Sequence, residues 1–180
     1  MNRTIKRDAR TTGIALLAVL VAAVAGVAVW NTWLDRAAPL ENTLESPSAL
    51  AQAVLDALRD GDRERLRALA LTEAEFRGHV WPELPISRPE VNMPFDVAWS
   101  QLAQNSTFLL EQTVAALEGH DYQLVEVEFA GEVTDYAEVT VYRDTELVVR
   151  TPDGGEQTIR VFGSTIEQDG RYKVFSYVVD

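Results

Sequence analysis

The chain has 180 residues, 47% hydrophobic and 24% charged, a globular composition with room for one domain and an appendage. Net charge is −12; residues 1–12 carry +3 (Arg3, Lys6, Arg7 and Arg10 against Asp8) and residues 11–34 carry none, so the body from residue 35 onward carries −15. A body of that charge repels phosphate backbones, which argues against nucleic acid as a partner, and the absence of cysteine excludes disulfides, thiolate zinc sites, a cysteine nucleophile and a lipid-modified cysteine.

The first element is "TTGIALLAVLVAAVAGVAVWNTWL", residues 11–34. As a helix these 24 uncharged residues would extend roughly 36 Å, enough to cross a hydrocarbon core of about 30 Å. Trp30 and Trp33 fall at its outer end, where indoles prefer the headgroup level. The basic cluster before it predicts that residues 1–11 are cytoplasmic and that the body lies outside the plasma (inner) membrane as a single-pass, signal-anchored domain. The alternative is a signal peptide cleaved near Ala23-Val24-Ala25, leaving a secreted body, but the run is longer than the usual signal core of about 7–15 residues. "DRAAPLENTLESPS" then reads as a short polar stalk.

A first helix opens at Ser46-Pro47, a good N-cap followed by a good first helical residue. Leu50, Val54, Ala57 and Leu58 share one face, and Asp60-Gly61 ends it. Asp62 caps a second short helix whose buried side is Leu66, Leu69 and Ala70. "TEAE" from Thr72 is a capping-box pattern, with Glu75 reaching back, so a third short helix is expected from Thr72 to about Val80. Phe76 and Val80 share its face, and Pro82 stops it. Four prolines between Pro82 and Pro94 make the next segment a crossing loop. A longer helix follows, with Asp96 as N-cap and a stripe through Trp99, Leu102, Ala103, Ser106, Leu109 or Leu110, Thr113 and Leu117, before Gly119.

After His120 the period changes from 3.6 to 2. In "YQLVEVEFAG" Val125, Val127 and Phe129 would face one way and Leu124, Glu126 and Glu128 the other. "DYAEVTVYR" places Ala137, Val139 and Val141 on one side. Hairpin turns are expected at Pro152-Asp153-Gly154-Gly155 and at Asp169-Gly170. Helices followed by an antiparallel meander of four or five strands indicate an α+β fold.

"SPSALAQAVLDALRDGDRERLRALALTEAEF" (46–76) and the closing "IEQDGRYKVFSY" (166–177) resemble the nuclear-transport-factor-2-like, or SnoaL-like, superfamily. The likeness lies in the opening helix, Gly-Asp turn and second helix, and in the Gly-Arg-aromatic-Lys-hydrophobic run leading the last strand. It implies a cone-like domain of three to four helices packed on a curved four- to five-stranded antiparallel sheet, after the transmembrane helix. The expected division is residues 1–11 cytoplasmic, 12–34 transmembrane, 35–46 linker and 47–180 extracytoplasmic domain. Enzymes of that superfamily use an Asp or His in an apolar cavity as general base, while other members only bind or assemble.

His79 and Asp96 are therefore the catalytic candidates, with His120 in the helix-to-strand turn "EGHDY". Against that role, His79 fits a helix end, where the dipole favours a cation, Asp96 fits an N-cap and His120 fits a solvated loop. Phe76, Trp81, Trp99 and Phe108 are candidate pocket lining, or else core aromatics; Phe76 and Trp81 would close one end of the cone against the sheet. Glu126, Glu128 and Glu138 fit an exposed sheet face that a basic partner could use. No metal-ligand spacing, phosphate-binding loop or nucleophile elbow occurs, so no metal and no cofactor is expected. The reading is of a non-catalytic binding or assembly domain, tethered to the bilayer through residues 12–34, with a protein partner or self-association. The alternative is a small-molecule pocket enzyme, isomerase- or dehydratase-like, with a His or Asp base.

Overall fold

The computed structural model describes residues 38–91 and 93–178. The apolar run at 12–34 lies outside the described residues; among the described residues no helix is long and apolar enough to cross a membrane. The domain is α+β. Helix α1 is Pro47–Arg59, α2 is Arg63–Leu69, α3 is Glu73–Glu75 and α4 is Phe95–Leu117. Strands are β1 Gln123–Phe129, β2 Val133–Asp135, β3 Thr140–Arg143, β4 Thr145–Arg150, β5 Glu156–Ile159, β6 Ser164–Gln168 and β7 Arg171–Ser176.

The helix starts follow the local chemistry. Ser46 Oγ accepts the Ala49 N–H at 3.0 Å, and Asp62 Oδ1 accepts the Arg65 N–H at 2.9 Å, each satisfying a first-turn donor that has no intrahelical partner. Gly61 links the two helices at φ +65, a conformation that costs a Cβ-bearing residue free energy. Asp96 is not the cap of α4. Pro94 holds that place, and Asp96 lies within the first turn with its side chain 88% exposed, 3.5 Å from Arg77. There it complements the helix dipole by charge alone.

Among the described residues, seven strands in two antiparallel sheets replace the expected single sheet: β1-β4-β5 and β2-β3-β6-β7. The sequence contains four extended runs, but three of them bend in mid-course, and the ladder divides at the bends. Residues 123–135 bend between β1 and β2, residues 156–168 between β5 and β6, and β3 passes into β4 across the single residue Asp144 at φ +52. Gly131 makes the first bend feasible, because a Cβ there would lie 2.9 Å from the Arg143 backbone carbon and closer still to the Asp144 carboxylate. The Arg160 side chain pairs with that carboxylate, so a residue from each bent run meets at the corner.

Two bulges set which side chains face inward. Leu124 pairs with Val149 and Glu126 with Val148, leaving Val125 as an extra residue. The alternation expected for β1 is thereby broken: Leu124 and Val127 pack on the core, while Val125 is exposed. On β7, Ser176 and Val174 pair with the adjacent Ser164 and Thr165, leaving Phe175 as the extra residue.

The apolar interior has two parts. One centres on Leu50, Val54, Leu66, Leu147 and Phe162 and joins α1, α2 and the end of α4 to the sheets. The other centres on Phe76, Val80, Val141 and Ile166 and joins the α3 region and the start of α4 to the four-stranded sheet. The open edge of β7 is covered by main chain: Leu44 and Tyr172 exchange hydrogen bonds at 2.8 Å, and the Leu71 N–H donates to the Val174 carbonyl at 2.8 Å.

Candidate functional site

The α3 region gathers most of the unusual chemistry. The capping box forms: Thr72 Oγ1 accepts the Glu75 N–H, and Glu75 Oε2 accepts the Thr72 N–H at 2.7 Å. The same carboxylate, only 6% exposed, receives the Lys173 ammonium at 2.8 and 2.9 Å and the Glu41 N–H at 2.7 Å. Burial is the largest single influence on it and would push the carboxyl up. Lys173, the two backbone donors and the Thr72 hydroxyl together outweigh that burial and hold it below the usual carboxylate range. Lys173 is itself fully buried.

After Glu75 the backbone runs on as a π turn, Phe76–Val80, which brings Phe76, His79 and Val80 inward together. His79 is at the helix end expected for it, in the last turn of this element, and it is buried there. Its Nε2 lies 2.7 Å from the Ala38 carbonyl. A carbonyl only accepts, so Nε2 carries the hydrogen and donates it. Nδ1 lies 3.5 Å from Glu138. Residues 38–44, expected to belong to a stalk, are thus held by several side chains of the domain. His79 takes the Ala38 carbonyl, Gln168 accepts the Leu40 N–H at 2.9 Å, Glu75 accepts the Glu41 N–H and Arg171 donates to Thr43. Leu40 is buried in the second apolar group.

A cavity of about 380 Å³ opens between α4 and the four-stranded sheet, in the range of small-molecule sites. Val80, Leu84, Leu102, Val141 and Phe175 are among its walls. A smaller hollow of about 150 Å³ lies on the other side of Leu102 and Phe175, bounded by Trp99, Ser106 and Tyr177 among others. The bulge on β7 is what leaves Phe175 between the two. Among the described residues neither cavity is lined by a histidine, an aspartate or a glutamate. No group of acidic or histidine side chains suited to a metal ion occurs among the described residues.

The structure separates the residues singled out in the sequence. His79 lines neither cavity, because its ring is directed at Ala38 and Glu138. Asp96 is at the surface, and His120 is exposed, stacked on Tyr122 at 5.5 Å. Phe76 lines the larger cavity and Trp99 the smaller, while Trp81 and Phe108 line neither. Phe76 is instead the hub of an aromatic group, 6.4 Å from Trp81, 6.0 Å from Phe95 and 5.6 Å from Trp99 by ring centroids. Phe108 is 63% exposed on the outer face of α4. Reading residue types missed the Lys173–Glu75 pair. Its one sequence signal was phase: Lys173 lies two residues from Phe175 on a strand whose other neighbours are apolar.

No protein-family model, curated protein or solved structure matches the chain.

Proposed function

We propose that this chain is a single-pass, membrane-tethered protein that presents a non-catalytic binding domain of the nuclear-transport-factor-2-like type outside the plasma membrane. The single observation that carries the binding part is the larger cavity, which has walls and volume for a small molecule but, among the described residues, no imidazole or carboxylate to move a proton. The two buried groups that could have served as bases are both occupied in holding residues 38–41: Glu75 by Lys173 and main-chain donors, His79 by a carbonyl. The tether rests on the uncharged residues 11–34 with their basic flank.

The test is complementation of a deletion strain. A cavity-filling Leu102→Trp protein should fail to complement, and a His79→Asn protein should complement at normal expression. The opposite pattern would make the imidazole catalytic and sink the binding reading. The tether is checked on spheroplasts, where added protease should digest the folded domain; a domain that survives while outward-facing markers are degraded lies on the other side.

A further inference from the structure

The larger cavity is amphipathic, and its polar side is ordered. Arg143 on β3 pairs directly with Ser164 on β6, and Ser164 pairs with Ser176 on β7. Directly paired residues project from the same face of a sheet, so these three form one row across three strands, and all three line the cavity. Gln101 and Asn105 line it from α4. Away from that row the walls are apolar: Phe76, Val80, Leu84 and Val141. Ile86 and Met93, from the proline-rich crossing segment, add half-exposed apolar side chains to the lining.

Charge makes the row selective. Among the described residues Arg143 is the one charged side chain in the lining, and no carboxylate forms an ion pair with it. The Tyr136 phenol, also in the lining, lies close enough to feel its charge, together with those of Glu132 and Glu83. Arg143 is exposed at the end of β3, so its guanidinium is open to an incoming group, and a guanidinium in a row with two serine hydroxyls suits a carboxylate head. At roughly 30 Å³ for each water-sized group, the cavity takes roughly a dozen non-hydrogen atoms, about the size of one short chain.

We propose that this cavity binds a free single-chain amphiphile ending in a carboxylate, with the head on the Arg143–Ser164–Ser176 row and the chain against Phe76, Val80, Leu84 and Val141. This rests on the binding reading above and specifies its ligand class. The guanidinium supplies charge-assisted hydrogen bonds to the head, the serine hydroxyls and the α4 amides supply neutral ones, and the chain gains from leaving water.

The experiment uses the full chain in lipid nanodiscs and a decanoate carrying a tail diazirine. Light should label peptides containing Leu102 or Val141. Decanoate should compete for that labelling at least tenfold better than decanol, and decyltrimethylammonium should compete worst. Arg143→Gln should bring decanoate and decanol level, whereas Arg143→Lys should retain the preference. Equal competition by decanoate and decanol in the unaltered protein, or an unchanged preference in Arg143→Gln, overturns the anionic ligand class and leaves the binding reading intact. Absence of labelling at the cavity, or labelling that Leu102→Trp does not reduce, overturns both.

Discussion

Replacing Lys173 by methionine isolates the buried ion pair. The side chain keeps its length and apolar stem but loses the ammonium, so the Glu75 carboxylate stays buried with two backbone N–H donors and one hydroxyl. Removing one partner of a buried pair costs about 3–5 kcal/mol. Because three donors remain on the carboxylate, the lower end is expected, about 3 kcal/mol, or roughly 6–12 °C in Tm for a domain of this size. Glu75→Gln/Lys173→Met should recover part of this loss, since no charge is then stranded, giving a coupling of about 1–3 kcal/mol between the sites. The assay is urea unfolding of the four proteins of the cycle in nanodiscs, followed by far-ultraviolet dichroism.

The cycle has a pH signature with a definite sign. Glu75 is held below its ordinary value of 4.5, so its stabilisation of the fold is fully present above about pH 4.5 and is lost as pH falls through the lowered folded value. Without the ammonium the strongest influence opposing burial is lost, so the carboxylate takes up its proton more readily and protonation relieves its stranded charge. The gap between unaltered protein and Lys173→Met should therefore be widest near pH 7 and narrow towards pH 4. Strict additivity in the cycle, or a gap that stays constant from pH 7 to pH 4, would show that Lys173 acts only by filling space.

Two further outcomes test the clamp and the corner. His79→Leu removes the donor to Ala38, so limited proteolysis within residues 35–46 should accelerate severalfold while the global unfolding free energy falls by about 1 kcal/mol; an unchanged cleavage rate would mean that the other contacts suffice. Gly131→Ala puts a Cβ into the Asp144 carboxylate and the Arg143 backbone, which should cost about 1–3 kcal/mol and shift β3 and β4 amide resonances. A neutral effect would show that the bend yields without strain.

Much of the helical half was legible in the chain because its signals are local. Ser46, Asp62 and Thr72 bind donors within three residues of themselves, so the cap and its partner lie in one short stretch of sequence. The turn at Asp169-Gly170 was legible for the same reason: both residues adopt positive φ, as a tight two-residue hairpin turn demands. Asp96 was misplaced because Pro94 also ends an extended approach and can occupy the cap, and two neighbouring starts differ by little in free energy.

What tertiary structure alone decided is what depends on distant residues. An alternating run does not announce that it bends, and β1's apolar phase changes at Val125 only because Val148 and Val149 on another strand set the register. Glu75 reads as an ordinary cap until Lys173, 98 residues later, is laid against it, and His79 reads as a helix end until Ala38 arrives from the other direction. The cavity is the extreme case. Arg143, Ser164 and Ser176 are unremarkable in sequence and become a row only through strand pairing, because hydrogen-bond register sets chemistry side by side that the chain keeps far apart.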